Sequence, residues 1–203
     1  MYKNELTDTG LEFGLTRIAD ELNRKNIEFF AFFGTLLGLV RGSKPIANDD
    51  DVDFYVRVSD YENVKSLLSD LNFEIDYATW PNHTNHFIQA QGLLEGVFVR
   101  VDFYFYDRDV DQDNLIEKWN FLGQIDNPNS ALRLPKPLVF PLREISFNGV
   151  AIPIPKYPEL TCEFLYGVNW KIPQKKGVDY GILMLGGRPL RIRQMDGKTE
   201  LLA

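Results

Sequence analysis

The segment Asn48-Asp49-Asp50-Asp51-Val52-Asp53 packs four carboxylates into five residues. Such groups repel at neutral pH, so a chain keeps them together where water or a cation screens the charge. A solvated acidic turn is one reading and a cation site is the other. Three features favour the cation. The cluster runs into an alternating segment, 51–58, with Val52, Phe54, Val56 and Val58 on one face and Asp51, Asp53, Tyr55 and Arg57 on the other. Asp51 and Asp53 therefore share a face about 6.6–6.8 Å apart along the chain, close enough to lean toward one hard cation. A second alternating run, 97–106, carries Asp102 opposite Val101 and Phe103. If the two strands are neighbours, three carboxylates converge. Gly34-Thr35 breaks the aromatic run 27–33 (IEFFAFF) and reads as a strand-to-helix turn whose backbone amides suit a phosphate. An EF-hand is excluded. Asp49, Asp51 and Asp53 fit its first, third and fifth positions, but Phe54 stands where glycine is required and Asp60 where glutamate closes the loop.

The elements that must position these groups follow from periodicity. Leu11, Leu15, Ile18, Ala19 and Leu22 recur at helical spacing and predict an amphipathic helix over 11–26. The run 27–33 predicts a buried strand, and Thr35 is expected to cap a short helix through Arg41. Residues 42–50 read as a loop. Ser59-Asp60-Tyr61-Glu62 has the form of a capping box and opens a helix to about Leu71. Strands are expected at 73–79, 85–90 and 97–106, then a short helix around 114–122. Asn148-Gly149 between 145–147 and 150–152 is a two-residue hairpin signal. Residues 158–166 read as a helix with proline at its start and Gly167 just past its end. The tail beyond is not assigned.

Composition narrows the function. The chain has 203 residues, 44% of them hydrophobic, which excludes wholesale disorder. Its net charge of −7 disfavours non-specific binding to nucleic acid, which needs a basic footprint. Cys162 is the single cysteine, so no intrachain disulfide and no multi-cysteine zinc site can form. No run approaches the ~20 apolar residues of a membrane span, and the first residues lack the apolar core of a signal peptide. We expect a cytoplasmic protein, with peripheral association at the inner face of the membrane as a variant. We also expect one domain, with a core of about 11–134 and a C-terminal extension of about 135–203.

The order of motifs resembles the LicD (fukutin-like) family of the nucleotidyltransferase-fold superfamily. The first block is Gly34-Thr35-Leu36-Leu37-Gly38-Leu39-Val40-Arg41 followed by Asp49-Asp50-Asp51-Val52-Asp53. The second is Phe140-Pro141-Leu142, Phe147-Asn148-Gly149-Val150, Ile154-Pro155, Leu165-Tyr166-Gly167 and Trp170. Together they span about 27–175. One departure is that Ala47 and Asn48 stand where the family commonly has Pro-Trp. The resemblance implies an α+β fold, a mixed sheet flanked by helices with a C-terminal hairpin and helix. It implies transfer of a phosphorylated alcohol, such as phosphocholine or a polyol phosphate, from a CDP-activated donor to a glycan acceptor, with Mg²⁺ or Mn²⁺ as cofactor. Asp51 and Asp53 would be metal ligands. Asp102 would hold a second metal or act as general base. Gly34, Thr35, Arg41 and Lys44 would bind substrate. The alternatives are a nucleotidyltransferase using a nucleoside triphosphate and a catalytically silent nucleotide-binding relative. Residue by residue, a plainer role stands beside each of two assignments: Arg41 as a cation serving the helix dipole, and Asp102 as a structural partner of Arg100 or Arg57.

Smaller signals are weaker. His83 and His86 lack a ligand partner set, though His86 precedes a strand and can line the cleft. Cys162 falls among apolar residues of a helix and reads as packing. Trp170 with Lys171, Lys175 and Lys176 reads as a solvated loop or as a contact for an anionic acceptor. Tyr55, Tyr104 and Tyr106 share faces with the acids and either stack on a base or sugar or cover the sheet.

Overall fold

The computed structural model describes residues 8–76, 87–117, 133–173, 183–185, 188–190, 192–195 and 198–201. Helix α1 (Asp8–Arg24) buries Leu11, Leu15, Ile18, Ala19 and Leu22, the stripe that the sequence spacing marks. Strand β1 (Phe29–Ala31) is fully buried and leads into α2 (Phe33–Gly42). Next come β2 (Val52–Arg57), a 3-10 turn (Val58–Asp60), α3 (Tyr61–Asp70) and the short β3 (Glu74–Ile75). The long hairpin β4 (Phe87–Leu94) and β5 (Val97–Asp107) follows, and then β6 (Asn114–Glu117) and β7 (Arg133–Pro135). The C-terminal part adds α4 (Lys136–Val139), β8 (Arg143–Phe147), β9 (Val150–Ile154) and α5 (Pro158–Tyr166). Two small hairpins, β10 (Leu183–Leu185) with β11 (Arg188–Leu190) and β12 (Ile192–Met195) with β13 (Lys198–Leu201), end the described chain.

The main sheet is mixed. Its order is β1-β2-β5-β4-β3, with β6 pairing β5 and β7 pairing β6. Among the described strand pairs only β2 and β5 run parallel, in the register Asp53↔Asp102. Strands β4 and β5 are joined by Glu95-Gly96, both at positive φ (50° and 83°), the backbone that a two-residue hairpin turn requires. That turn fixes Leu94 opposite Val97 and hence Gln89 opposite Asp102.

Each face of the sheet carries its own core. Val52, Phe54, Val56, Val99, Val101, Phe103 and Phe105 pack with α1 and α3 on one side. Phe30, Phe32, Phe33, Tyr55 and Tyr106 pack with Leu115, Leu134, Val139 and Leu165 on the other. Asp53 and Asp102 project from this second face, at the margin of its aromatic cluster.

Several expectations are corrected. Thr35 does not cap α2: Phe32 occupies the N-cap position, and Thr35 is the third residue of the helix. The capping box at 59–62 does not form; α3 follows a 3-10 turn and Asp60 makes no side-chain cap bond. The segment 114–117 is a strand, because it adds to the end of β5 beside Tyr106 and Asp107 and buries Leu115. The strand expected at 85–90 instead runs from Phe87 to Leu94. The hairpin at Asn148-Gly149 forms with both residues at positive φ, and α5 has the expected bounds. His83, His86, Lys175 and Lys176 lie outside the described residues.

Candidate active site

The start of α2 and the start of β2 are tied to each other. The Asp53 amide donates to Thr35 Oγ1 at 2.8 Å, and the Thr35 amide donates back to Asp53 Oδ2 at 3.3 Å. The Phe32 amide adds a bond to the Asp53 carbonyl at 3.1 Å. Phe33, between them, has φ 36°, a conformation that costs a bulky residue about 1–3 kcal/mol. The aromatic core holds it there: its ring lies 4.4 Å from Phe32 and 4.7 Å from Tyr104. This strained turn delivers Gly34 directly onto the acids. A Cβ there would stand 2.7 Å from Asp49 Oδ2 and 3.2 Å from Asp53 Oδ2. Only glycine leaves both carboxylates in place.

The acidic loop is folded tightly enough to return to the same point. Ser43 closes α2 in the left-handed conformation, its amide bonded to the Leu39 carbonyl. Asn48 also takes positive φ (62°), which asparagine tolerates, and the Asp49 amide donates to the Ile46 carbonyl. Gly38 is where this loop crosses α2: a Cβ would lie 2.7 Å from the Lys44 carbonyl oxygen and 2.8 Å from the Ile46 nitrogen.

Three carboxylates converge. Single oxygens of Asp51, Asp53 and Asp102 lie within 4.8 Å of one another, and Asp49, Asp50 and Asp51 form a second such group. Asp53 and Asp102 are only 5% and 4% exposed, so water does little to screen them. Burial raises the pKa of Asp53 well above the usual carboxylate range, and the charges of Asp51, Asp102 and Asp49 push it further. Asp102 is raised in the same way by burial and then by Asp51. Two groups work against this rise: Gln89 Nε2, which donates to both Asp102 oxygens at 3.0 and 3.2 Å, and the guanidinium of Arg100. Buried like charges of this kind call for a counter-ion. Hard oxygen donors with few other ligands suit Mg²⁺ or Mn²⁺, which keep open positions for substrate oxygens.

The remaining expected residues fall out unevenly. Gly34 and Thr35 are at the carboxylates, though the Thr35 amide points at Asp53. Arg41 is in the last turn of α2, about 10 Å along the helix from Gly34 by helical rise, and its charge acts on Cys162 of α5. Lys44 is exposed in the loop beyond. Arg57 is engaged elsewhere, 2.7 Å from Asp109, so it is not the partner of Asp102. Tyr55 and Tyr106 do not line a cleft: both are fully buried, and the Tyr106 hydroxyl donates to Glu28. Tyr104 is half-buried against Phe33 and Phe87. Trp170 is buried at the edge of the core, with Lys171 Nζ over its ring at 5.4 Å from the centroid. Cys162 is buried packing, its thiol pushed up to about 12 by burial.

The nucleotidyltransferase domain model of the LicD, FKTN and FKRP proteins matches residues 26–157. The chain belongs to the LicD family. The match runs from just before the first strand of the site to the start of the helix after the β8–β9 hairpin, and so takes in all three carboxylates. Among solved structures, a lincosamide antibiotic adenylyltransferase, LnuA, with lincomycin bound superposes with a TM-score of 0.52 at 15% identity, over 79% of this chain and 87% of that one. An antigenic nucleotidyltransferase-like protein from Paracoccidioides brasiliensis gives 0.43 at 16% identity, over 74% and 62%. At 15% identity the likeness to the adenylyltransferase is one of fold: a nucleotidyltransferase-like mixed sheet. No curated protein matches the chain in sequence. Family and fold together make it a transferase of the LicD type. Among the described residues no helix is long and apolar enough to cross a membrane.

Sequence reasoning did not single out Gln89, and it considered Arg100 only as a structural partner. The signal for Gln89 was present: Glu95-Gly96 sets the β4–β5 register, and counting back from it pairs Gln89 with Asp102.

Proposed function

We propose that this LicD-family chain is a metal-dependent transferase acting on cell-surface polysaccharide, lipopolysaccharide or teichoic acid. It moves a phosphorylated alcohol, of the phosphocholine or polyol phosphate type, from a CDP-activated donor to a glycan hydroxyl. The observation that carries this reading is the convergence of Asp51, Asp53 and Asp102 beside the Gly34 turn in a chain of this family. A divalent ion held by these carboxylates would offset charge on the donor diphosphate. Asp51 and Asp53 are the proposed ligands. Asp102 is the proposed base or further ligand, kept in orientation by Gln89. In the reaction the acceptor oxygen forms a bond to the phosphorus carrying the alcohol, the bond from that phosphorus to CMP breaks, and the acceptor proton passes to Asp102. Gly34 lets Asp49 and Asp53 stay close to the proposed ion and donor, because nothing projects from it. We take the chain as one functional unit at the cytoplasmic side, where nucleotide-activated donors are made.

The test is direct. Purified protein with Mg²⁺ or Mn²⁺ is incubated with CDP-choline, CDP-glycerol or CDP-ribitol and candidate glycans, and CMP is measured by mass spectrometry. Release of CMP that disappears in Asp51→Asn and Asp53→Asn is the expected result. Pyrophosphate from a nucleoside triphosphate would instead identify a nucleotidyltransferase. Wild-type turnover in both variants would remove the metal assignment.

A further inference from the structure

Strands β4 and β5 extend beyond the start of β2, and the face that carries Asp102 continues with them. Alternation puts Arg100, Asp102 and Tyr104 on one side of β5, and register puts Gln91, Gln89 and Phe87 opposite them on β4. The rows read aromatic, then acid and amide, then Arg100 with Gln91. Arg100 stands one row from Asp102, about 6.6–6.8 Å along the strand, a gap that an arginine side chain bridges. It is half-buried, and its charge is felt at Asp102. Among the described residues no carboxylate lies within ion-pair distance of it.

We propose that Arg100, with Gln91 beside it, is the diphosphate-binding residue of the donor. This deepens the transferase reading and rests on it. Three ionised carboxylates and a donor diphosphate bring about five negative charges together, and one divalent ion offsets two of them. A cation beside the carboxylates offsets part of the remainder, and among the described residues of β4 and β5 Arg100 is the one on the face of Asp102, one row away. A sugar hydroxyl accepts a hydrogen bond from a guanidinium but offers it no opposite charge, so the anionic donor is the better-matched ligand. The planar fork reaches two phosphate oxygens at once, which a lysine ammonium does not. Gln91, opposite it across the strand pair, offers an amide donor to the same group.

The experiment is calorimetric titration of the full chain with Mn²⁺ present, using inorganic pyrophosphate and CDP-glycerol as probes. We expect Arg100→Met to weaken both at least tenfold and Arg100→Lys to recover part of the loss. Mn²⁺ affinity, measured separately by electron paramagnetic resonance, should stay within threefold of wild type. Arg100→Met binding both probes as wild type overturns the assignment while the transferase reading stands. Wild-type protein that binds Mn²⁺ but neither probe overturns the transferase reading and this inference with it. A tenfold loss of Mn²⁺ binding in Arg100→Lys would show that the arginine shapes the carboxylates rather than holding phosphate, and would also overturn it.

Discussion

Asp53→Asn separates stability from function more sharply than any other change here. Ionised carboxylates with oxygens within 4.8 Å of each other repel by about 3 kcal/mol at an effective dielectric constant of about 20. Asparagine is isosteric, keeps an acceptor for the Thr35 amide, and removes the charge that Asp51, Asp102 and Asp49 oppose. Allowing about 1 kcal/mol for the weaker hydrogen bond, the metal-free variant should gain up to about 2 kcal/mol, the full amount where Asp53 of the wild type is ionised. For a chain of this size that is about 4–8 °C in Tm. The order reverses with metal. At a hundred times its Kd, an ion bound only to the folded state stabilises by about 2.7 kcal/mol, which the wild type gains and the variant largely forgoes. Differential scanning fluorimetry at about pH 7.5, in chelator and in excess Mn²⁺, reads both numbers. The sign against pH is also set. Asp53 is raised in the folded state, so the folded chain holds a proton that the unfolded chain has released. In chelator the wild type therefore becomes more stable as pH falls from neutral through the raised value, and levels off near the ordinary carboxylate pKa. Asp53→Asn should flatten that slope. If the variant melts below wild type in chelator and responds to Mn²⁺ to the same extent, the three carboxylates do not form a charge-strained cation site.

Three further outcomes follow from the geometry. Gly34→Ala should fold with stability within about 1 kcal/mol of wild type, because alanine favours a helix and the Asp49 carboxylate can swing aside, yet lose at least about tenfold in turnover by displacing that group. Gly38→Ala meets backbone atoms of Lys44 and Ile46 instead and should cost about 1–3 kcal/mol in urea denaturation. Gln89→Leu removes the donor that holds the Asp102 pKa down, so the pH midpoint for Mn²⁺ binding should move upward; an unchanged midpoint would show that the amide does not govern Asp102.

The legible part of this protein was what depends on local pattern. Alternation in 51–58 and 97–106 assigned the faces of both acidic strands correctly, and the Asn48–Asp53 run pointed to the candidate site. The stripe on α1 and the Asn148-Gly149 hairpin were equally clear, because side-chain period and turn chemistry are local properties. What the residues alone left open was pairing. That β2 lies parallel to β5, with Asp53 level with Asp102, is a long-range fact that no short window contains. The errors have the same origin. Asn114–Glu117 has no strong strand pattern and becomes a strand because β5 offers an edge beside it. Tyr55 and Tyr106 alternate with the acids as cleft residues would, but a second apolar core covers that face of the sheet and swallows both rings. Thr35 has the composition of a cap, yet the strained Phe33 shifts the helix start upstream and turns the hydroxyl toward the Asp53 amide.

The bend at Glu95-Gly96 lies six residues from Asp102, about 20 Å by strand rise, and takes no part in any chemistry. It nevertheless decides which amide meets which acid. One inserted residue in that tight bend would slide the returning strand by a single position, turn Gln89 to the opposite surface and bring an apolar neighbour up against a buried carboxylate. The candidate site is thus governed at a distance by loop length, through the register of the strand that carries Gln89.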